Sequence, residues 1–212
     1  MMDQVLIAIV LLISIYMLGS SRLGGLVNAV AWQGLFLCLL AASVQKTNMP
    51  WHEWVLILLA IVVKALILPL LLKRALRETL VQREVEPQLG YSLSLFIGLL
   101  LLVGSIWTVW KLPLPPEIGN PMAVAIALFT LMVGLLLIVA RTKAITQTIG
   151  YLTMENGIYV LGLTLAVGSP VVIEMGILLD VFVGVLVMGI MIFNINREFD
   201  HINTRHFTAL KD

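Results

Sequence analysis

The chain has 212 residues, 60% of them hydrophobic and only 12% charged, with a mean hydropathy of +1.06. Soluble domains carry about 25% charged residues, so this composition excludes a soluble globular protein and specifies an integral membrane one. The net charge of +1 identifies no charged partner; lipids are the expected surroundings, and nucleic acid is not an expected partner.

A spanning helix needs about 20 mostly apolar residues. Seven stretches qualify, which predicts an all-α, polytopic fold. The first, 4–20, ends in the small residues Gly19, Ser20 and Ser21. Asp3 precedes it and Arg22 follows, the reverse of a leader's basic start, so it is read as a retained span. Gly24 and Gly25 separate it from the second, 23–44, and Asn48 and Pro50 turn that into the third, 51–72. The third carries Lys64 five residues before Pro69, whose ring removes a helical hydrogen bond and pushes on the carbonyl four residues back, that of Ala65. A polar stretch with Glu84, Glu86 and Pro87 leads to the fourth span, 89–110. It closes at KLPLPPEIGNP, where prolines and glycine exclude regular structure. The fifth, sixth and seventh spans are 121–140, 148–167 and 170–193.

The organisation that follows is a three-helix group with its loop (1–88), a connector helix and outer loop (89–120), a second three-helix group (121–193) and a polar tail (194–212). Each group opens its middle helix with a glycine, Gly25 or Gly150, and buries an ionisable residue in its third, Lys64 or Asp180. That is the pattern of a parallel repeat.

Seven spans place alternate loops on opposite sides. Arg22, Lys73, Arg74, Arg77, Arg83, Arg141, Lys143, Arg197, Arg205 and Lys211 then share one side, against Lys46 and Lys111 on the other. Basic residues mark the cytoplasmic side. The N-terminus is therefore expected outside and the C-terminus in the cytoplasm. Trp51, Trp54, Trp107 and Trp110 fall at the outer ends, as an interfacial aromatic belt requires.

Lys64, Glu155, Glu174 and Asp180 are ionisable residues inside predicted spans. A charge in hydrocarbon costs about 2.5–3.5 kcal/mol or more, so each is by default part of a polar pathway. Asp180 has no charged residue within five positions, and Gly176 and Gly184 share its face, which admits a close helix or water. Glu155 has Tyr159 one turn later and Thr148, Thr153 and Asn156 nearby; these groups suit either a water chain or contacts between helices. Counted from the predicted cytoplasmic ends, Glu155 lies about 10 Å deep, Lys64 about 12 Å and Asp180 about 20 Å. Glu174 is close to the outer boundary, where reaching headgroups or water accounts for it equally well. Burial disfavours the charged form of acids and bases alike, so groups at graded depth suit a proton relay. A set of charges that only fixes helix packing remains the alternative.

Enzyme signatures are absent: the chain has no GxGxxG, Walker loop, HExxH or CxxC. Cys38 is the single cysteine, which rules out an internal disulfide or a cysteine-based metal framework and reads as a packed thiol. His52 is at a helix end and His201 and His206 are in the tail, none placed as an axial haem ligand. The ten methionines read as packing.

The run RTKAITQTIGYLTMENGIYVLGL, followed by a helix bearing DVFVGVLV, resembles the small three-helix subunit of respiratory complex I (NADH dehydrogenase subunit 4L) and the C subunit of Mrp-type antiporters. Asp180 and Gly184 match that family's acid and the glycine four residues on. The resemblance to hydrogenase-4 component E covers more of the chain. It includes KALILPL around Lys64 and Pro69, GYLTMENG with Glu155, and the ending NTRHFTALKD. Two departures accompany it: the complex I subunit has its Glu at the position of Leu152, one turn before Glu155, and its second acid is Glu where this chain has Asp180.

The resemblance implies a non-redox subunit, without a catalytic centre of its own, of a group 4 membrane-bound nickel–iron hydrogenase or formate hydrogenlyase-like complex in the inner membrane. Asp180, Glu155, Lys64, Glu174 and Tyr159 would form the proton pathway. The nickel–iron centre and iron–sulfur clusters would lie in partner subunits, and no cofactor is expected in this chain. The implied partners are antiporter-like and complex I subunit 1-like membrane subunits, with a peripheral hydrogenase arm docked through the tail. An anchoring and assembly subunit, or a subunit of a cation/proton antiporter, is the alternative.

Overall fold

The computed structural model describes residues 2–44, 51–78, 88–114, 120–165, 175–176 and 178–189, and every element within them is a helix. Helix α1 is Met2–Gly19, α2 Leu23–Val44, α3 Trp51–Ile61 and α4 Leu68–Glu78, with a π-helical turn, Val62–Ile67, joining α3 to α4 without a break. Then follow α5 (Tyr91–Lys111), α6 (Pro121–Ala140), α7 (Ala144–Leu165) and α8 (Leu178–Gly189). Glu174, the loop bearing Arg83 and the tail with His201, His206, Arg197, Arg205 and Lys211 lie outside the described residues.

Apolar runs become helices because hydrocarbon offers no partner to backbone N–H and C=O groups, which a helix satisfies internally. Among the described residues three helices are long and apolar enough to cross a membrane, over Leu23–Leu40, Tyr91–Lys111 and Pro121–Ala140. Asp3–Gly19 and Leu178–Gly189 are shorter apolar helices. The chain is a membrane protein. Trp51, Trp107 and Trp110 are exposed at helix ends, and Lys111 holds its ammonium 4.2 Å from the Trp107 ring centroid.

The helix ends are closed by specific groups. Asn120 Oδ1 accepts from the Met122 N–H at 3.1 Å, and Pro121 occupies the first turn, where its missing N–H costs nothing. At the other end of α6 the Ala140 carbonyl accepts from the Gln88 N–H at 3.0 Å. Arg141 follows, fully buried, donating from Nη2 to the Leu18 carbonyl in the last turn of α1 at 2.8 Å and stacking over Tyr91 at 4.3 Å. A cation at the carbonyl end of a helix is favoured by the helix dipole, and here one guanidinium ties α1, α5 and α6 together.

Helix α7 begins four residues before the predicted start at Thr148. Its polar opening is tolerated because the side chains are satisfied locally: Thr148 Oγ1 donates to the Ala144 carbonyl at 2.9 Å and Gln147 Nε2 to the Arg141 carbonyl at 3.0 Å. The third helical stretch likewise runs beyond the predicted 72, through Glu78.

The tightest packing is between α6 and α7. A Cβ built on Gly134 would lie 2.3 Å from the Met154 nitrogen, and one on Gly157 2.4 Å from the Leu131 nitrogen. These contacts are with backbone, which cannot step aside. Small residues at such crossings are how membrane helices gain dispersion contact without a hydrophobic drive between them. Around this pair α1 packs on α5 and α6, and α2 on α4 and α7. Leu18, Leu26, Leu72, Phe129, Ile149 and Val183 share one core. Helix α5 is the outlier, with only Ser94, Gly98, Ser105 and Val109 of its residues buried. Gly157→Val or Gly134→Val is expected to abolish recovery of folded protein from detergent extracts, whereas Gly104→Ala, which meets open space, should leave the yield unchanged.

Candidate functional site

Lys64 stands inside the π-helical turn, a device of single-turn register change that recurs at functional sites. The Leu68 N–H reaches back five residues to the Val63 carbonyl. Pro69 comes next and has no N–H, so in this register the carbonyl it cannot close is that of Lys64, not the Ala65 carbonyl expected for an unbroken α-helix. Gly34 of α2 faces this turn: a Cβ there would lie 3.0 Å from Lys64 Cβ. The bare glycine lets α2 press against the backbone that carries the lysine.

Helix α7 brings Glu155 to the same level. Counted from Ala144, Glu155 is about 16 Å along the helix, near its middle. The predicted grading of depths, taken from helix starts and ends that the structure moves outward, gives way to a direct meeting. Lys64 Nζ donates to Glu155 Oε1 at 2.5 Å and to Asp180 Oδ1 of α8 at 3.0 Å, with Asn156 Oδ1 at 3.4 Å. All three charged side chains are buried, at 5%, 1% and 0% exposure. One ammonium therefore joins two carboxylates from three parts of the chain. Glu155 Oε2 and Asp180 Oδ2 have no hydrogen-bond partner among the described residues.

Tyr159 also reaches the site, with Lys64 Nζ 5.7 Å from its ring centroid. Its hydroxyl, too, is buried without a hydrogen-bond partner among the described residues. The ring packs on Gly176, where a Cβ would approach it to 3.1 Å, while Gly184 meets Leu68 and Leu71 at 3.9 Å. Gly176 thus admits the Tyr159 ring of α7 closely, whereas at Gly184 a Cβ would make only ordinary contact with α4. Thr148 and Thr153, which suit either a water chain or contacts between helices, donate to carbonyls of their own helix at 2.9 Å each, and Thr153 Oγ1 also lies 3.7 Å from Met17 Sδ of α1. Glu174 lies outside the described residues.

Three residues not anticipated from the sequence extend the site: Gln33, Ser14 and Thr130, all fully buried. Asn156 Nδ2 donates to Gln33 Oε1 at 3.2 Å, Gln33 Nε2 to Ser14 Oγ at 3.0 Å, and Ser14 Oγ lies 3.4 Å from Thr130 Oγ1. Their signal was a polar residue within an apolar run, as in LLISIYM and AVAWQGLF.

Two cavities adjoin the site. One, of about 10 Å³, is lined by Lys64, Asn156, Asp180 and the apolar Val30, Leu68 and Leu152, close to the volume of a single water position. The other, of about 240 Å³, opens one turn from Glu155 toward the start of α7, lined by Gln147, Thr148 and Tyr151 with Ile138, Val183 and Leu186. Among the described residues no three His, Cys, Asp or Glu side chains form a metal-holding group.

Removing the ammonium would leave two buried carboxylates uncompensated, a change that costs about 3–5 kcal/mol in buried pairs. Lys64→Met is expected to lower unfolding stability in detergent by about that amount. Adding Glu155→Gln and Asp180→Asn should restore most of it, as an unfolding series on the single and triple variants would report.

The chain is 31% identical over 95% of its length to an uncharacterized protein of Mycobacterium tuberculosis, covering 92% of that protein. It is 30% identical over 72% of its length to hydrogenase-4 component E of Escherichia coli and of Shigella flexneri, covering 70% of each. No protein-family model and no solved structure matches it.

Proposed function

The chain belongs to the hydrogenase-4 component E family, and on that premise we propose that it is a non-redox membrane subunit of a group 4 nickel–iron hydrogenase or formate hydrogenlyase-like complex that helps to translocate protons. The observation carrying this reading is the buried Lys64 ammonium shared between Glu155 and Asp180. With both acids ionised the triad holds an excess negative charge in a medium of low dielectric, and charge balance is met when one carboxyl takes up a proton.

The relay follows from that balance. A proton reaching Glu155 neutralises it, and the ammonium then stays with Asp180. Alternatively Lys64 passes a proton to Glu155, so that the ammonium and carboxylate become amine and carboxylic acid with no net change. Either exchange changes the charge of Glu155 without large movement, because both carboxylates already lie within hydrogen-bond distance of one nitrogen. The unpartnered Glu155 Oε2 and Asp180 Oδ2 supply acceptors for the incoming proton. The small cavity beside Asp180 admits one water-sized carrier, and the larger one beside Tyr151 provides an approach from the start of α7. Tyr159 walls the triad and Glu174 extends the path outward.

The arrangement in the membrane is seven spans in the inner membrane, N-terminus outside and C-terminus cytoplasmic, supported by the segregation of Lys and Arg. Residues 1–88 and 121–193 act as two helix groups joined by the connector, and the tail docks a peripheral hydrogenase arm. Partners in the bilayer are antiporter-like and complex I subunit 1-like subunits. The nickel–iron centre and iron–sulfur clusters belong to partner subunits, since clusters are held by several thiolates and this chain has one cysteine.

In inverted vesicles, complexes that assemble with Asp180→Asn or Glu155→Gln are expected to lose proton pumping at least tenfold, the scale of losing a group essential to transfer. Unchanged pumping in assembled variants would instead mark the triad as packing and the chain as an anchor. Sodium-dependent transport without a nickel-binding partner on purification would indicate an antiporter subunit.

A further inference from the structure

We infer that Gln33 is a positioning residue for the triad, the middle link of a one-way hydrogen-bond chain that responds to whether Lys64 holds its proton. The inference deepens the proton-relay reading and rests on it for the transport arm of its test only.

The direction of the chain is dictated by its first member. An ammonium has three donors and no acceptor, so Asn156 must turn Oδ1 toward Lys64. Its amide nitrogen then points away and donates to Gln33 Oε1 at 3.2 Å. Gln33 is thereby oriented in turn, with Nε2 donating to Ser14 Oγ at 3.0 Å. The Ser14 hydroxyl, occupied as an acceptor, donates to the Val10 carbonyl at 2.8 Å. Every donor faces away from Lys64, and the links run through α7 and α2 to α1. Thr130, whose own hydroxyl donates to the Ile126 carbonyl at 2.8 Å, flanks the far end.

Burial makes the orientation binding. Ser14 and Gln33 are fully buried and Asn156 is 3% exposed, so turning one amide alone would set donor against donor between buried groups. A neutral amine changes the condition, because it carries a lone pair and accepts. When Lys64 has given up a proton and Glu155 carries it on Oε2, the two N–H groups of the amine stay on Glu155 Oε1 and Asp180 Oδ1 and its one lone pair faces Asn156. Asn156 is then free to present its amide nitrogen, Gln33 must turn with it, and Ser14 donates to Gln33 in place of the Val10 carbonyl. The chain has two self-consistent arrangements, one for each state of Lys64, which is the two-state element that transmission between sites requires. Gln33 touches neither Lys64 nor the carboxylates in this arrangement; it acts through Asn156.

Infrared difference spectra of the full purified chain between acid and alkaline buffers provide the first arm. The carboxyl signal of Glu155 and Asp180 is expected to appear together with side-chain amide carbonyl bands, of which the Gln33 part disappears in Gln33→Leu while the carboxyl signal stays. A carboxyl signal with no amide band, or amide bands unchanged by Gln33→Leu, overturns the inference. In the second arm, assembled complexes carrying Gln33→Leu should transfer protons about tenfold more slowly, the scale of one hydrogen bond. Gln33→Glu, which with its proton on reproduces both bonds, should stay within about twofold of the parent. Equal rates in all three overturn it. If Gln33→Leu does not accumulate, Gln33→Glu decides: retained transfer supports the inference and a tenfold loss overturns it. An amide band in a protein whose Asp180→Asn complex pumps normally would sink the relay reading while leaving Gln33 coupled to the charge of Lys64.

Discussion

A single ammonium in a low-dielectric interior, held between two carboxylates, constrains the rest of this structure. Lys64 cannot be hydrated where it sits, and unpaired it would cost several kcal/mol. Glu155 and Asp180 face the same difficulty with the opposite sign. Three helices must therefore meet at one level, and their geometry is arranged around that meeting. The π-helical turn rotates Lys64 out of register with α3, Gly34 lets α2 approach it, and Gly176 admits the Tyr159 ring beside Asp180.

The close α6–α7 crossing serves the same end. Gly134 and Gly157 allow backbone-to-backbone contact that no larger residue permits, which holds Glu155 and Asn156 on a rigid element. The proposed relay, between groups already in contact, gains nothing from mobile helices. It needs acceptors fixed to within a few tenths of an ångström, and dispersion at a glycine crossing gives that rigidity where the hydrophobic effect does not act between helices. Arg141 performs the corresponding task at the end of α6, where it grips the last turn of α1.

Beyond the charges lies an uncharged network that orders them. Asn156, Gln33 and Ser14 complete the hydrogen bonding of a site that would otherwise leave amide groups unpaired in the interior. Because the ammonium only donates, the sense of each later bond is inherited from it. Charge and orientation are therefore linked across four helices, although the charge is carried by Lys64, Glu155 and Asp180 alone among the residues of that network.

Composition and its arrangement in long apolar runs determined that the chain is a helical membrane protein: 12% charged residues leave too little polarity for a soluble domain, and of the helices and closed barrels that hydrocarbon admits, runs of about 20 apolar residues suit the helix. The ionisable residues Lys64, Glu155 and Asp180 were legible for the same reason: a charge in an apolar run stands out by its cost. What could not be read was their distance from one another. Glu155 and Lys64 are separated by 91 positions and Asp180 and Lys64 by 116, and no periodicity within one helix reports how it is rotated against another. Gln33 and Ser14 were missed because a neutral polar residue in a span is cheap enough to be unremarkable until its partner is known. Tertiary packing decided those pairings, through glycine contacts and a five-residue turn that shift helices by fractions of a turn, and it turned acids and a base apparently spread through the membrane into a single buried triad.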